Sequence, residues 1–398
     1  MTSVSLAERL GRNFPARTLH RDYRHVPGAL SADEVAALVS FNVVNDLLAV
    51  HRLEPPRLRL SAGGQMLPQH RYSTPEVTRR STVWNRLYPA ELHERLAEGA
   101  SLVVDAIDQL HPPVGALAQD LEGWLRTHVQ VNAYASWTPE EGFGTHWDDH
   151  DVVVVQVAGA KRWRLYGPTR TAPMYRDVAE PEEPPAEPVA DLVLQPGDVL
   201  YLPRGWWHAV TADQGTESLH LTCGLGTHTG ADLIRWLSDE LRASELVRTD
   251  LPVHRHGSEQ AEYLSGLAKE LVAALEDPRL IIRYAAARDA QDLGRLRPSL
   301  PHVAAMSAAD PDVRVRLTTG RGRLEVTGDA AIFTAAGHNA EFAPAAAPLL
   351  RHLLAAPAGP GLRFGELSEH TGLALEDVAA VVGELVAVQA ATVTAEPR

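Results

Sequence analysis

Between about Val129 and Leu225 the apolar residues recur with a period of two, in short runs separated by glycine and proline turns. Successive side chains of a strand point to opposite faces, so this pattern marks strands rather than helices. The runs are residues 129–135, 152–157, 162–166, 192–194, 199–202 and 219–225, with turns at Ala158-Gly159-Ala160 and Pro196-Gly197-Asp198. Many short strands joined in this way predict an all-β barrel or a double-sheet jelly roll. Residues 180–188 (EPEEPPAEP) suit neither a central strand nor a helix and are read as an exposed loop between two strands.

Helical periods flank this region. Over residues 30–50, Val35, Leu38, Phe41, Val44 and Leu47 recur at helical spacing behind a Ser31/Glu34 capping box. Pro55 and Pro56 end that stretch, residues 58–60 read as a short strand, and Leu117, Leu121 and Leu125 mark a helix over 112–126. After Gly226, Leu233, Trp236, Leu237 and Leu241 form one stripe, and Leu264, Leu267, Leu271 and Leu275 another. Such amphipathic helices need the barrel or a second subunit to pack on. Near the end, Phe364, Leu367, Leu373, Val378, Val381 and Leu385 fall on two short helices split at Thr371-Gly372, and a strand follows at 391–394. That order reads as a helix-turn-helix with a β-wing. The expected organisation is a barrel over 1–228 (core about 97–228), a helical region over 229–300 and a winged helix over 301–398.

The bulk properties narrow the functional classes. Hydrophobic residues at 45% and charged residues at 22% are ordinary for a soluble globular protein. A net charge of -14 argues against direct nucleic-acid binding, which needs a basic surface. Cys223 is the only cysteine, which rules out an internal disulfide and a thiolate metal cluster. Residues 1–24 carry five arginines but no apolar run, and no stretch approaches the ~18 apolar residues of a membrane span. A cytoplasmic location without membrane contact is expected.

The chemistry concentrates in Gly144-Thr145-His146-Trp147-Asp148. On a strand or its fraying end, residues i and i+2 share a face, so the imidazole and the carboxylate can converge on one metal ion. That motif alone is weak. A strand and turn in Pro196–Leu202, followed by Pro203-Arg204-Gly205-Trp206-Trp207-His208, allow His208 to reach back beside the first two ligands. Two histidines and one carboxylate on a β scaffold make the facial triad of non-haem iron, with open positions for a bidentate co-substrate and O2. Zinc, with three ligands and a water, stays open at this point. Asp149, His150 and Asp151 are read as supporting residues, and His220 as a core histidine rather than a fourth ligand. Alternation along 161–166 puts Lys161 on the Trp163/Leu165 face, towards the barrel interior. A buried ammonium needs an anionic partner, here the carboxylate of a ligand; the bland alternative is a lysine reaching solvent from a strand end. Asn132 and Tyr134 share a face, as do His220 and Thr222, and are either co-substrate contacts or satisfied core polar groups.

Together these segments resemble the JmjC oxygenases, and within them the ribosomal oxygenases, which hydroxylate ribosomal proteins. The resemblance runs through AEGASLV (97–103), VNAY (131–134), GFGTHWDDHDV (142–152), QVAGAKRWR (156–164), the 196–208 motif and HLT (220–222). It implies a double-stranded β-helix of the cupin type, a helical homodimer interface and a winged helix at the end. It further implies that His146, Asp148 and His208 bind Fe(II) and that Lys161 pairs with the distal carboxylate of 2-oxoglutarate. Asn132, Tyr134 and Thr222 line the same pocket in this reading, O2 is the oxidant, and the substrate is an Arg or His side chain of a ribosomal protein or another basic peptide. Trp147 stands where several relatives have tyrosine, which points to an altered substrate entrance. The alternatives are the same chemistry on a biosynthetic precursor peptide or a small metabolite, and a non-catalytic cupin that binds a ligand or regulates. Demethylation shares the hydroxylation step, but no histone-reading module is recognisable.

Overall fold

A computed structural model describes residues 6–81, 83–174, 183–213, 215, 217–300 and 309–394. Its largest sheet has eight strands in the order Arg24–Val26, Val199–Leu202, Asp151–Ala158, Ser218–Leu225, Val129–Ser136, Ser101–Val104, Leu58–Ala62 and Gln65–Met66, each antiparallel to its neighbours. A smaller antiparallel sheet sets Ala160–Pro168 between Ala190–Leu194 and Trp206–Asp213. The period-two pattern resolves into two cores. Val152, Val154, Leu200 and Leu202 of the large sheet meet Trp163, Leu165 and Leu194 of the small one inside the barrel. Val153, Val155, Leu219, Leu221 and Cys223 point the other way, into a core shared with Leu47, Val114 and Leu121 of the covering helices. This is the expected cupin-type barrel.

The expected single helix over 30–50 is two, Ala32–Leu38 and Phe41–Val50. The capping box forms, with Glu34 N–H donating to Ser31 Oγ (3.3 Å) and Ser31 N–H to Glu34 Oε2 (2.8 Å). Val39 then turns extended to bury its side chain, and Ser40 Oγ accepts from Val43 N–H at 3.3 Å to start a second helix. A strand over Trp206–Asp213 was not anticipated, because its first half lacks apolar alternation. The strand at 58–60 and the helix at 112–126 are found as Leu58–Ala62 and Pro112–Leu125. Of the expected acidic loop, residues 180–182 lie outside the described residues, and 183–187 are exposed without regular structure.

The stripes after Gly226 lie on helices Gly230–Glu240 and Gly257–Leu275, and a third helix, Leu280–Ala290, follows. The last region has its own core, including Val315, Phe333, Leu350, Phe364 and Leu385. Helices Phe364–Thr371 and Leu375–Ala387 pack beside a sheet of Leu362–Arg363, Arg314–Leu317 and Ala391–Thr394. A further meander (Arg323–Val326, Ala331–Ala335, His338–Phe342) and the helix Ala347–Ala355 complete it, neither foreseen. Gln119 Nε2 donates to Leu317 O (3.1 Å) across a buried contact that ties this region to the barrel's helix. No helix among the described residues is long and apolar enough to cross a membrane.

Candidate metal centre

His146 and His208 sit opposite one another in a single antiparallel bridge: His146 N–H donates to His208 O (3.0 Å) and His208 N–H to His146 O (2.8 Å). Gly205 N–H donates to Asp148 O at 2.8 Å, fastening the next residue pair of the same two arms. Gly205 has φ +77°, and a Cβ there would lie 2.4 Å from Pro173 Cγ, so this turn requires glycine. The strand expected to carry His146 and Asp148 is therefore reduced to one bridge, and backbone bonds to the arm bearing His208 set the spacing.

Each imidazole is oriented by its own chain. Nδ1 of His146 lies 2.9 Å from Gly144 O, and Nδ1 of His208 lies 2.9 Å from Trp206 O. With the proton on Nδ1 donated to a carbonyl, the Nε2 lone pair is available to a metal, the usual arrangement behind a metal-bound histidine. The Nε2 atoms lie 3.9 Å (His146) and 3.7 Å (His208) from the two carboxylate oxygens of Asp148. One ligand atom from each of the three residues lies within 4.8 Å of the others. The donor set, two neutral imidazoles and one carboxylate, fits Fe(II) in an open facial site. His208 is buried, while the His146 and Asp148 side chains are 25% and 30% exposed, so the site opens on their side.

The cluster edges a cavity of about 590 Å3 that Lys161, Asn132, Tyr134 and Thr222 also line. Lys161 is 4% exposed, and its Nζ donates to Ser136 Oγ. No carboxylate pairs with it among the described residues, and burial pushes its ammonium down to about 8. Asn132 Oδ1 accepts from Ala106 N–H (2.9 Å) and Gln130 Nε2 (3.1 Å), so part of its polar capacity serves the scaffold. Thr222 stands opposite Asn132 in the strand register, and His220 opposite Tyr134. The Tyr134 and His220 rings stack at 5.1 Å, 4° from parallel. Burial, with the Asp148 charge nearby, pushes the Tyr134 phenol up to about 12. Burial and the Lys161 charge hold the His220 pKa far below its ordinary value, and its Nδ1 has no partner among the described residues. His220 is outside the three-residue cluster.

The neighbouring acidic residues divide by role. Asp151 is fully buried and accepts from Tyr201 OH, from His20 Nδ1 (2.7 Å) and from Arg204 N–H (3.0 Å), which fastens the N-terminal segment to the barrel. Asp149 pairs with His150 at 3.1 Å, and His150 lines the cavity against Gly224. Trp147 is buried and is not among the side chains lining the cavity, so the altered entrance expected from it is not where the structure puts this ring. Ser136, Arg59 and Phe143 line or support the pocket and are not marked by the sequence reading, while His150, read as a supporting residue, and Trp163, read as facing inward, line it too. Ser136 was within reach of the alternation that marked Asn132 and Tyr134, two residues further along the same face. Trp163 lies near-parallel to His208 (5.6 Å, 25°), a contact between paired neighbouring strands some forty residues apart that no local pattern shows.

Residues 113–233, which include the histidine–aspartate–histidine cluster, match the JmjC domain family. Over part of its length the chain is similar in sequence to the ribosomal oxygenases. It is 38% identical over 106 residues to a bifunctional lysine-specific demethylase and histidyl-hydroxylase NO66 of Drosophila persimilis, covering 27% of this chain and 15% of that protein. It is 39% identical over 108 residues to ribosomal oxygenase 2 of Rattus norvegicus, covering 27% of this chain and 23% of that one. The matched stretch is thus under a quarter of either relative. The fold extends further: the structure of YcfD, a ribosomal oxygenase from Escherichia coli, in complex with cobalt and 2-oxoglutarate superposes with a TM-score of 0.63 over 96% of this chain and 97% of that one, at 19% identity.

Proposed function

We propose that the chain is an Fe(II)- and 2-oxoglutarate-dependent protein hydroxylase. The observation that carries this reading is one cavity holding both the His146/Asp148/His208 cluster and a buried, carboxylate-free Lys161. His146, Asp148 and His208 would hold the iron, and Lys161 the distal carboxylate of 2-oxoglutarate. Bound iron supplies the activation of O2, coupled to loss of CO2 from 2-oxoglutarate, that inserts oxygen into a substrate C–H bond. The protein's part is to orient and to exclude water. The Nδ1 bonds to Gly144 and Trp206 fix the imidazole planes, and Lys161 holds the co-substrate by its far end. Asn132, Tyr134 and Thr222 flank it with neutral polar groups that add no competing charge.

The substrate proposed is an Arg or His side chain of a ribosomal protein or another basic peptide. The relatives' names support this, as does the net charge of -14, which favours a basic partner. The apolar faces of Gly257–Leu275 and Leu280–Ala290 support a homodimer, with Leu264, Ile281 and Ile282 at least 60% exposed. The two helices and sheet at the end are read as a winged helix for protein contacts, since acidic residues outnumber basic ones over 301–398. With purified protein, Fe(II) and 2-oxoglutarate, succinate formation and a one-oxygen mass gain on a ribosomal-protein peptide are expected, and both are lost in His146→Ala. Well-folded protein that makes no succinate under any of these conditions would refute the hydroxylase reading.

A further inference from the structure

A second cavity, of about 700 Å3, lies where the segment after Leu280–Ala290 crosses the start of the Pro112–Leu125 helix. Five arginines line it: Arg57, Arg295, Arg297, Arg316 and Arg321. Two are neutralised. Arg295 pairs with Asp108 and, at 3.1 Å, with Glu122, while Arg321 pairs with Asp292 at 2.8 Å.

The other three are not. Arg57 donates to Ala106 O (3.1 Å) and Gln109 Oε1 (3.0 Å), and Arg316 to Gly359 O (3.2 Å), all uncharged acceptors. The Nε of Arg316 is buried and has no acceptor among the described residues. Arg297 has no carboxylate partner among them, and its Nη2 lies 3.4 Å from where a Cβ on Gly115 would stand, over the first turn of the helix. Burial and the charges of Arg316 and Arg295 push Arg297 down to about 10, so the guanidiniums repel one another where they stand. Like charges gathered in a partly desolvated cleft destabilise a fold unless an anion joins them. The positive end of the helix adds to the same potential.

We propose that this cavity binds a small phosphorylated anion through Arg297, Arg316 and Arg57. Planar guanidinium forks match phosphate oxygens two at a time, and several of them around one cleft suit a diphosphate better than a single carboxylate. None of the metal cluster's residues belongs to this site. His128 lines both cavities, which places the anion one side chain away from the candidate active site.

Titration calorimetry of the full chain with inorganic pyrophosphate, at low and high salt, tests the assignment. Saturable, salt-sensitive binding is expected, weakened about tenfold or more in Arg297→Gln and in Arg316→Gln, since each removes a charge-assisted contact. The exposed Arg80→Gln should bind as the parent does. In the absence of anion, Arg297→Gln is expected to melt at or above the parent temperature, because it relieves repulsion; a merely structural arginine would lower it. No saturable binding at millimolar pyrophosphate would overturn the proposal, as would binding unchanged in both variants. Binding of a short RNA oligonucleotide through these arginines, with pyrophosphate unable to compete, would also overturn it.

Discussion

Lys161 shows what a single buried charge asks of its surroundings. Its shift from 10.5 to about 8 corresponds to on the order of 3 kcal/mol against the charged form. A carboxylate ligand would offset that cost. The sign of the pH dependence follows. Below about pH 8 the free protein presents an ammonium that attracts 2-oxoglutarate, and above it an amine that does not. The apparent Kd for 2-oxoglutarate should therefore rise as pH passes 8, by up to about tenfold per unit, when followed by calorimetry. Lys161→Arg keeps its charge throughout and should flatten that rise wherever it still binds. Lys161→Met should lose most co-substrate affinity yet be more stable without ligand, by about 1–3 kcal/mol in denaturant unfolding, since an apolar group replaces a charge with no counter-ion; lower stability would mean that Ser136 and its neighbours already satisfy the ammonium. At this scale the sequence was informative where alternation applied. Lys161, Asn132, Tyr134 and Thr222 were placed on inward faces by counting in twos, and all four line one cavity. His146 and Asp148 were harder, because their geometry rests on a bridge to His208 and a bond from Gly205 some sixty residues away.

Among the elements, strands were legible when their two faces went to two different cores. Asp151–Ala158 sends Val152 and Val154 into the barrel and Val153 and Val155 towards the helices, so its pattern is strong. Trp206–Asp213 has no such signature. It pairs with Ala160–Pro168 through a bulge at Trp207/His208, and the pairing rather than its composition makes it a strand. The break after Leu38 was hidden for a related reason: a buried Val39 and a capping Ser40 sit inside an apolar spacing that reads as continuous. The turn joining Asp151–Ala158 to Ala160–Pro168 gives a sharp test. Gly159 has φ +62°, and a Cβ there would fall 1.7 Å from Glu217 O, against backbone that cannot easily move. Gly159→Ala should cost more than about 2 kcal/mol in denaturant unfolding and pull Lys161 out of place with it. An unchanged midpoint would mean that the hairpin and the 217–218 segment are loosely joined.

For the whole molecule, the helices after the barrel leave several large apolar side chains exposed. Ile281 is 73% exposed, Ile282 60% and Leu264 61%. The proposed homodimer predicts that Ile281→Asp shifts the sedimenting species to monomer while the barrel keeps its melting temperature; a parent chain already monomeric at micromolar concentration would contradict it. In the region proposed as a winged helix, the packed helix pair was visible in the sequence but the meander over residues 323–342 was not. Its outer strands, Arg323–Val326 and His338–Phe342, are short and at most half-buried, so apolar alternation there is faint. The central claim, however, is that three ligands and one lysine form a single site for metal and co-substrate. Adding 2-oxoglutarate to the anaerobic Fe(II) protein tests it most directly, through the visible charge-transfer band of a chelated 2-oxo acid. The parent should show that band, His208→Ala should lack it, and Lys161→Met should need far more 2-oxoglutarate to reach it. Absence of the band from the folded parent, or its persistence in His208→Ala at parental 2-oxoglutarate concentrations, would contradict the account.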